Sequence, residues 1–225
     1  NHRARKRRLC VCRLEPLEER CLMSVAPGLD REVAWTGNAQ TQRAALDYVF
    51  AGTPTVQRVN RGVLVTLAGE STWVSSGDPV VPVHGSTILL PQGMQITSVA
   101  VSYLDRGIVI GAGTALLAAP AAIPMDGSAA QITDWSSWTT AFSDSLGPQN
   151  AVEYSNETIA GYSLGILRVF PVEYDAVSRT LTYHSRISVT VTTTAAGRED
   201  TAPLRNSAAD RQRVAAMVEN PAALA

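Results

Sequence analysis

The alternation of apolar and polar residues between Leu181 and Thr192 limits the fold of this chain more than any other feature. With Ser185 as the exception, every second residue is apolar and the residues between them are polar. The apolar set is Leu181, Tyr183, Ile187, Val189 and Val191, and the polar set is Thr182, His184, Arg186, Ser188, Thr190 and Thr192. A period of two over this length is typical of a β-strand with one buried face and one face in water. Such strands occur in antiparallel sheets, so the pattern predicts an all-β domain.

Shorter runs rich in Val, Thr and Ile continue from about Val59 to Thr194, separated by Gly, Pro, Asp and Ser. Runs of this length between turn residues favour strands. They cover residues 61–67, 86–90, 95–104, 107–110, 164–174 and 179–194. We therefore predict an all-β domain over residues 31–194. Within it, residues 111–157 lack clear periodicity; a stretch of this kind is usually functional or mobile, and it can contain further strands.

The composition supports one folded core. The chain has 225 residues, of which 45% are hydrophobic and 17% charged, so there is enough apolar material for a domain of this size. The longest apolar stretches, such as residues 115–123, are short and are interrupted by Pro120. Because a membrane helix needs about 20 apolar residues, we expect no membrane span.

Residues 1–30 form a basic leader, which we expect to be disordered. Residues 1–20 carry seven Lys and Arg against three Glu, a balance of +4, and the rest carries twelve Arg against seventeen Asp and Glu, a balance of −5. A nucleic-acid-binding domain usually concentrates positive charge on its folded surface, so we expect no nucleic-acid partner. The leader also lacks the apolar stretch of an ordinary secretory signal peptide.

All three cysteines, Cys10, Cys12 and Cys21, lie in the leader. The nearest histidine is His2 and no second cysteine pair follows, so the four ligands of a closed zinc site are not present. The body has no cysteine, and therefore has neither a disulfide framework nor a thiol nucleophile.

Residues 195–225 read as a polar linker followed by a short helix from Ser207 to about Glu219. Ser207 suits the N-cap, Asp210 suits the first turn, and Asn220-Pro221 ends the helix. The apolar positions Val214, Met217 and Val218 are too few for an independent unit. We interpret this region as a linker leading to a domain outside the chain.

The sequence Gly161-Tyr162-Ser163-Leu164-Gly165 fits the G-x-S-x-G pattern of a nucleophile elbow, with Asp175 and His184 downstream in the order of α/β-hydrolases. The context is wrong, because an elbow needs a buried parallel strand before the serine and a helix after it. Here strand-like residues follow the serine. We predict a Gly-flanked strand start at Ser163, with His184 exposed on the polar face of its strand.

Other candidate residues lack the neighbours that a site requires. His84 lies in a turn-like setting with no paired carboxylates or second histidine nearby in the sequence. Asp126-Gly127 is a turn signal without the further carboxylates of a calcium loop, so calcium stays an unsupported candidate. Asn156-Glu157-Thr158 is a glycosylation sequon of little specificity. We predict no catalytic, cofactor-binding or metal-binding residues, and a domain that binds rather than reacts.

Two stretches resemble the pro-region of gingipain-like cysteine peptidases, family C25. Residues 77–83, followed by 88–93, are similar to the family's G-x-P-x-x-P segment and its step into a strand. Val169-Phe170-Pro171-Val172-Glu173-Tyr174-Asp175, leading into Leu181-Thr182-Tyr183, is similar to its strand, turn and strand. Arg213, Val214 and Asn220-Pro221 resemble the approach to the peptidase domain. In the leader, LEPLEERCLMS resembles the LEPR-xLL type of motif carried by large exported bacterial proteins, with differences at Leu17 and Cys21.

The resemblance implies an antiparallel β-sandwich or barrel-like prodomain that inhibits a cognate C25-like peptidase domain in cis, and helps it fold, until proteolytic activation. The chain itself would not be an enzyme, because the catalytic domain lies outside it. The protein would be exported, to the exterior or cell surface of a bacterium. The alternative is a β-sandwich adhesion or structural module of a large exported bacterial protein.

In Arg-specific members of the family, the inhibitory loop is expected to place an Arg in the specificity pocket. Residues 111–157 contain no Arg, so inhibition is mainly steric, the loop lies elsewhere, or the partner enzyme is not Arg-specific. Candidate cuts by a basic-specific protease are after Arg198, Arg205, Arg211 or Arg213 in the polar linker.

Overall fold

The fold is described from a computed structural model, which covers residues 32–59, 62–73, 79–113, 115–118, 151–197, 204 and 207–224. The chain order of the strands is β1 (Thr36–Gly37), β2 (Thr41–Val49), β3 (Thr55–Val59), β4 (Gly62–Thr66), β5 (Ser71–Trp73), β6 (Val81–Leu89), β7 (Met94–Tyr103), β8 (Ile108–Gly111), β9 (Val152–Ile159), β10 (Tyr162–Val169), β11 (Val172–Asp175), β12 (Thr180–Tyr183) and β13 (Arg186–Ala195). Helix α1 (Ala208–Ala215) and a 3₁₀ turn (Pro221–Leu224) follow. The predicted leader, its cysteines and Asp126 lie outside the described residues.

The strands form two four-stranded sheets, β1-β2-β13-β7 and β5-β6-β10-β9, a three-stranded sheet β11-β12-β8, and the hairpin β3-β4. Every pairing between these strands is antiparallel. Their inner faces enclose one apolar core, to which both large sheets contribute, for example through Leu46, Ile88, Leu167 and Val189. The prediction of an antiparallel all-β fold is confirmed.

The long alternating run at residues 179–194 is two strands rather than one. The break falls at His184-Ser185, where the alternation has its exception, and the chain turns there from β12 into β13. Because His184 has left the strand, it does not follow the polar face, and it is only 4% exposed. The expectation of an exposed His184 is therefore wrong. The run at 164–174 is likewise broken at Phe170-Pro171, since proline cannot donate a ladder hydrogen bond.

Two strands lie where the sequence pattern was weak. Strand β2 precedes Val59, yet it pairs with β13 at nine consecutive positions, from Val49 opposite Arg186 to Thr41 opposite Thr194. Strand β9 lies in the aperiodic stretch 111–157, which therefore contains a further strand as anticipated. Without β2 the sheet would lose its longest register, so residues 41–49 belong to the folded unit.

The predicted helix near the C-terminus is present. Ser207 is its N-cap, and the Ser207 Oγ accepts a hydrogen bond from the Asp210 N–H at 3.0 Å. The helix ends at Ala215, earlier than the predicted Glu219. Val214 and Val218 pack against Leu89, Tyr162 and Leu164 in a second, smaller apolar cluster. The segment therefore lies on the β domain.

Candidate functional site

Ser163 lies at the start of a strand, as predicted. It follows the turn at Ala160-Gly161, where φ is 54° and 88°, and it sits in β10 between the antiparallel strands β6 and β9. The Ser163 Oγ accepts a hydrogen bond from the Gly93 N–H at 3.2 Å. A nucleophile elbow requires a parallel strand and a following helix, and neither flanks this serine.

Asp175 and His184 do not complete a triad with Ser163. Asp175 stabilises the turn between β11 and β12. It accepts hydrogen bonds from the Ser178 hydroxyl at 2.6 Å and from the Val177 N–H at 3.0 Å. The hydrogen bond from Ser178, with that from Val177, lowers the pKa of Asp175. His184 has its partners elsewhere in the fold. Each of the three residues thus has a structural role of its own.

His184 is the centre of a buried charged cluster. Its Nδ1 lies 2.9 Å from Asp105 Oδ1, and its Nε2 lies 3.2 Å from Glu173 Oε2. The ring stacks on Tyr103 with centroids 3.6 Å apart and an interplanar angle of 1°. Both ring nitrogens of His184 therefore face a carboxylate oxygen. We call His184, Asp105, Glu173 and Tyr103 the His184 cluster.

Asp105 carries most of the hydrogen bonds of this cluster. One oxygen accepts from the Ser185 N–H and hydroxyl, both at 2.7 Å, and from the Arg186 N–H at 3.1 Å. The other accepts from His184 and from the Gly107 N–H at 3.1 Å. Burial would raise the pKa of Asp105, but the hydrogen bonds from Ser185, His184 and the backbone outweigh it and lower the pKa to about 2. With its oxygens occupied in this way, the carboxylate fixes the β12–β13 corner.

His84 is the centre of a second cluster, although no partner was predicted for it. It lies in strand β6 rather than in a turn, with its Nδ1 at 2.8 Å from Glu70 Oε2 and its Nε2 at 3.6 Å from Glu219 Oε1. The rings of Tyr48 and Phe50 meet it edge-on at 5.5 and 5.9 Å. Burial alone would lower the pKa of His84, but the carboxylates of Glu219 and Glu70 raise it to about 9. We call His84, Glu70 and Glu219 the His84 cluster.

Asn156, the asparagine of the glycosylation sequon, has a structural role. Its Oδ1 accepts a hydrogen bond from the Ile96 N–H at 2.7 Å, and its Nδ2 donates to the Ile96 carbonyl at 3.0 Å. The side-chain amide thereby takes the place of a neighbouring strand on β7. A nearby hydroxyl, that of Tyr154, donates to the Thr97 carbonyl at 2.9 Å. These contacts join β9 to β7, and so join the two large sheets.

Two cavities lie at the same end of the molecule. The first, of about 300 Å³, is bordered by Gly93, Asn156, Glu157 and Ser163. The second, of about 540 Å³, lies between Trp35, Leu89 and Leu90 on one side and Arg211 and Leu224 on the other. Neither is lined by a histidine, and neither adjoins the paired acid and base that hydrolysis requires.

Two kinds of feature are absent from the described part of the chain. No group of three or more His, Cys, Asp and Glu side chains there is arranged to hold a metal ion. Among the same residues, no helix has the length and apolar character needed to cross a membrane.

Two of the four candidate processing residues can be located. Arg211 and Arg213 lie in helix α1, where both are exposed. Arg198 and Arg205 fall outside the described residues. Cleavage after these residues stays a prediction.

No family model and no curated protein matches the sequence. A chain from the complex of the Porphyromonas gingivalis RgpB pro- and mature domains matches with a TM-score of 0.58 and 14% identity, over 84% of this chain and 97% of that chain. A structure on the zymogenic latency of gingipain K from P. gingivalis matches with a TM-score of 0.41 and 18% identity, over 76% of this chain and 96% of that chain. The first match establishes a shared fold, and the second is too distant to add to it.

Sequence reasoning missed the roles of the acidic residues of both clusters, and it assigned Asn220 to a helix stop rather than to the edge of β6. Asp105, Glu173, Glu70 and Glu219 lie on other elements than the histidines that they contact in the fold. A weak signal exists for Asp105, since Asp105-Arg106-Gly107 follows an apolar run as a turn would.

Proposed function

We propose that this chain is the pro-domain of a gingipain-like cysteine peptidase of family C25. It keeps a peptidase domain in cis inactive until proteolytic activation, assists the folding of that domain, and is exported with it. The observation that carries the proposal is the fold shared with a chain of the RgpB pro- and mature-domain complex, over 97% of that chain. The resemblance of residues 77–93 and 166–191 to the same family is independent support.

The structural roles of the candidate catalytic residues also favour a binding function. Ser163, Asp175 and His184 are each engaged in separate hydrogen bonds. An inhibitory domain needs no reacting group, because it acts by covering its partner. Tethered to the peptidase, it has an effective concentration on the order of millimolar, so that modest contacts suffice before cleavage and dilution releases it afterwards.

The first test is the reading frame beyond Ala225. The proposal expects a domain that contains a histidine and a downstream cysteine nucleophile. That peptidase domain should then be produced alone and together with the 225-residue chain. We expect a lower yield of folded enzyme without the chain, and suppression of its peptidase activity when the purified chain is added back.

Full activity at saturating concentrations of the folded chain would contradict the inhibitory role. Further β modules beyond Ala225 would instead support the adhesion or structural alternative. A Ser163→Ala variant is the control for the non-catalytic assignment. It should inhibit like the unaltered chain, and neither form should hydrolyse peptides or esters; esterase activity lost in the variant would identify Ser163 as a nucleophile.

A further inference from the structure

The C-terminal segment, residues 207–224, completes an open edge of strand β6. In an antiparallel pair, every second residue directs its N–H and C=O away from the partner strand. Leu89, opposite Leu164 of β10, directs both groups to Asn220, whose Oδ1 accepts at 2.7 Å and whose Nδ2 donates at 3.0 Å. The Glu219 N–H donates to the Thr87 carbonyl at 2.8 Å. Strand β5 covers only the first part of β6, Val81–Val83, and the segment covers the other end, at Thr87 and Leu89.

The apolar contacts of this segment are few. Val214 and Val218 are its only buried hydrophobic side chains among the residues described, and they pack on Leu89, Tyr162 and Leu164. A small apolar contact contributes little docking free energy, which makes the polar contacts decisive for whether the segment stays attached.

Glu219 adds an ionic contact to these hydrogen bonds. This side chain is 1% exposed, and its Oε1 lies 3.6 Å from His84 Nε2. The other groups around the His84 ring are the carboxylate of Glu70 and the rings of Tyr48 and Phe50, and the Tyr48 hydroxyl lies 2.9 Å from Ser86 Oγ. Loss of the His84 charge leaves the buried Glu219 carboxylate without a counter-charge, and loss of the Glu219 charge removes the ionic contact between the segment and the β domain. Either change should therefore favour release of the segment.

The same segment carries two candidate processing residues. Arg211 and Arg213 are exposed, but their backbone is helical within α1. A protease binds its substrate in an extended conformation, so it cuts such a bond only when the helix opens. Opening requires the segment to leave β6, because Val214 and Val218 anchor the helix there.

We propose that the C-terminal segment is a latch closed by the contact between Glu219 and His84, and that opening of the latch controls cleavage after Arg211 and Arg213. The latch rests on the contacts above. Its meaning for activation rests on the proposed pro-domain function.

The C-terminal segment should detach from β6 as the pH becomes alkaline. The pKa of His84 is raised from 6.5 to about 9, so the stabilisation from its charge is complete below pH 6.5 and is lost as the pH rises through 9. Above that pH, Glu219 remains buried beside a neutral ring.

The test is limited digestion of the whole chain with an Arg-specific endoprotease, followed by mass spectrometry. Cleavage after Arg211 and Arg213 is divided by cleavage after Arg179 in the exposed β11–β12 turn, which corrects for the activity of the protease at each pH. We expect Glu219→Gln to raise this ratio about tenfold at pH 7, and we expect the ratio of the unaltered chain to rise between pH 7 and 9.5. Glu153→Gln, which removes an exposed ion pair with Arg168, is the matched control and should leave it unchanged.

Hydrogen exchange provides a second measurement that needs no protease. The amides of residues 211–219 should exchange faster in Glu219→Gln, with the amides of β13 unaffected. An unchanged cleavage ratio together with unchanged exchange in Glu219→Gln would overturn the latch. If the latch behaves as expected but the chain does not inhibit the peptidase, the pro-domain function fails and the latch stands.

Discussion

The central histidines of the two clusters make the same types of contact, but their partners belong to different parts of the fold. Each ring lies between two carboxylates and against aromatic side chains. All partners of His184 belong to the β domain and meet where β7, β11 and β13 converge. One partner of His84, Glu219, belongs to the C-terminal segment. A buried ion pair therefore stabilises either the whole domain or one detachable piece, depending on what its partners are attached to.

The strongest test of this difference is removal of Asp105. We expect Asp105→Ala to lower the free energy of unfolding of the whole domain by about 3–5 kcal/mol, because His184 stays buried with one carboxylate and the β12–β13 corner loses its acceptors. Urea unfolding measures it. Asp175→Ala, in an exposed turn, should lower the free energy of unfolding much less, as is usual for surface positions. Equal effects for both variants would contradict a central role for Asp105.

A methyl group at Gly107 tests the packing of the same cluster. The residue has φ of +67°, and an added Cβ would lie 2.4 Å from Thr182 Cγ2 and 2.7 Å from His184 Cε1. We expect Gly107→Ala to destabilise by about 2–4 kcal/mol, the sum of backbone strain and overpacking. Gly113→Ala is the control, since φ is +64° with no atom within 4 Å, and it should cost only the backbone part, about 1–2 kcal/mol. Identical melting temperatures for the two variants would exclude the steric contribution.

The two clusters should respond at opposite ends of the pH scale. The pKa of Asp105 falls from 3.8 to about 2, so its stabilisation is complete above pH 3.8 and is lost as the pH falls through 2. His84 instead loses its contribution at alkaline pH, and there we expect faster exchange in the C-terminal segment alone. Measurement of the free energy of unfolding as a function of pH tests the contribution of Asp105 at acidic pH. Asp105→Asn should reduce the loss of stability that occurs there as the pH falls.

Asn156 and Asn220 each hydrogen-bond to both backbone groups of one strand residue. They test whether a lost contact destabilises the whole domain or only the C-terminal segment. Asn156→Ala and Asn220→Ala each remove two hydrogen bonds to one backbone position, at Ile96 and at Leu89, worth about 1–2 kcal/mol. We expect Asn156→Ala to shift the global unfolding midpoint, because it loosens the junction of the two large sheets. Asn220→Ala should leave that midpoint nearly unchanged and accelerate exchange only in residues 211–219. A global shift of equal size in both variants would show that the C-terminal segment unfolds with the domain.

The predictable part of this structure is the part encoded by local patterns. The alternation in β13, the turn residues between strands and the Ser207 cap are short-range signals, and each is matched by the structure. Strand β2 was missed because Ala44 and Ala45 blur its alternation, and alanine favours helices over strands. The break before β13 was visible as the irregularity at Ser185, but not the burial of His184 that results from it.

The charged clusters could not be predicted, because their members come together only through the topology. His184 and Asp105 are 79 residues apart, and Asn220 is 131 residues from Leu89. No spacing rule within one strand or helix connects such residues. Their pairing depends on which strands become neighbours, and that is determined by the core as a whole.

The central position of β13 also governs when this domain can fold during synthesis. Its neighbours in the sheet, β2 and β7, emerge from the ribosome long before it; Ser188 and its partner Asp47 are 141 residues apart. Until residue 195 has left the exit tunnel, both earlier strands present unsatisfied edges to the cell, as is general for sheets of high contact order. The sheet can therefore close only after nearly the whole domain has been translated.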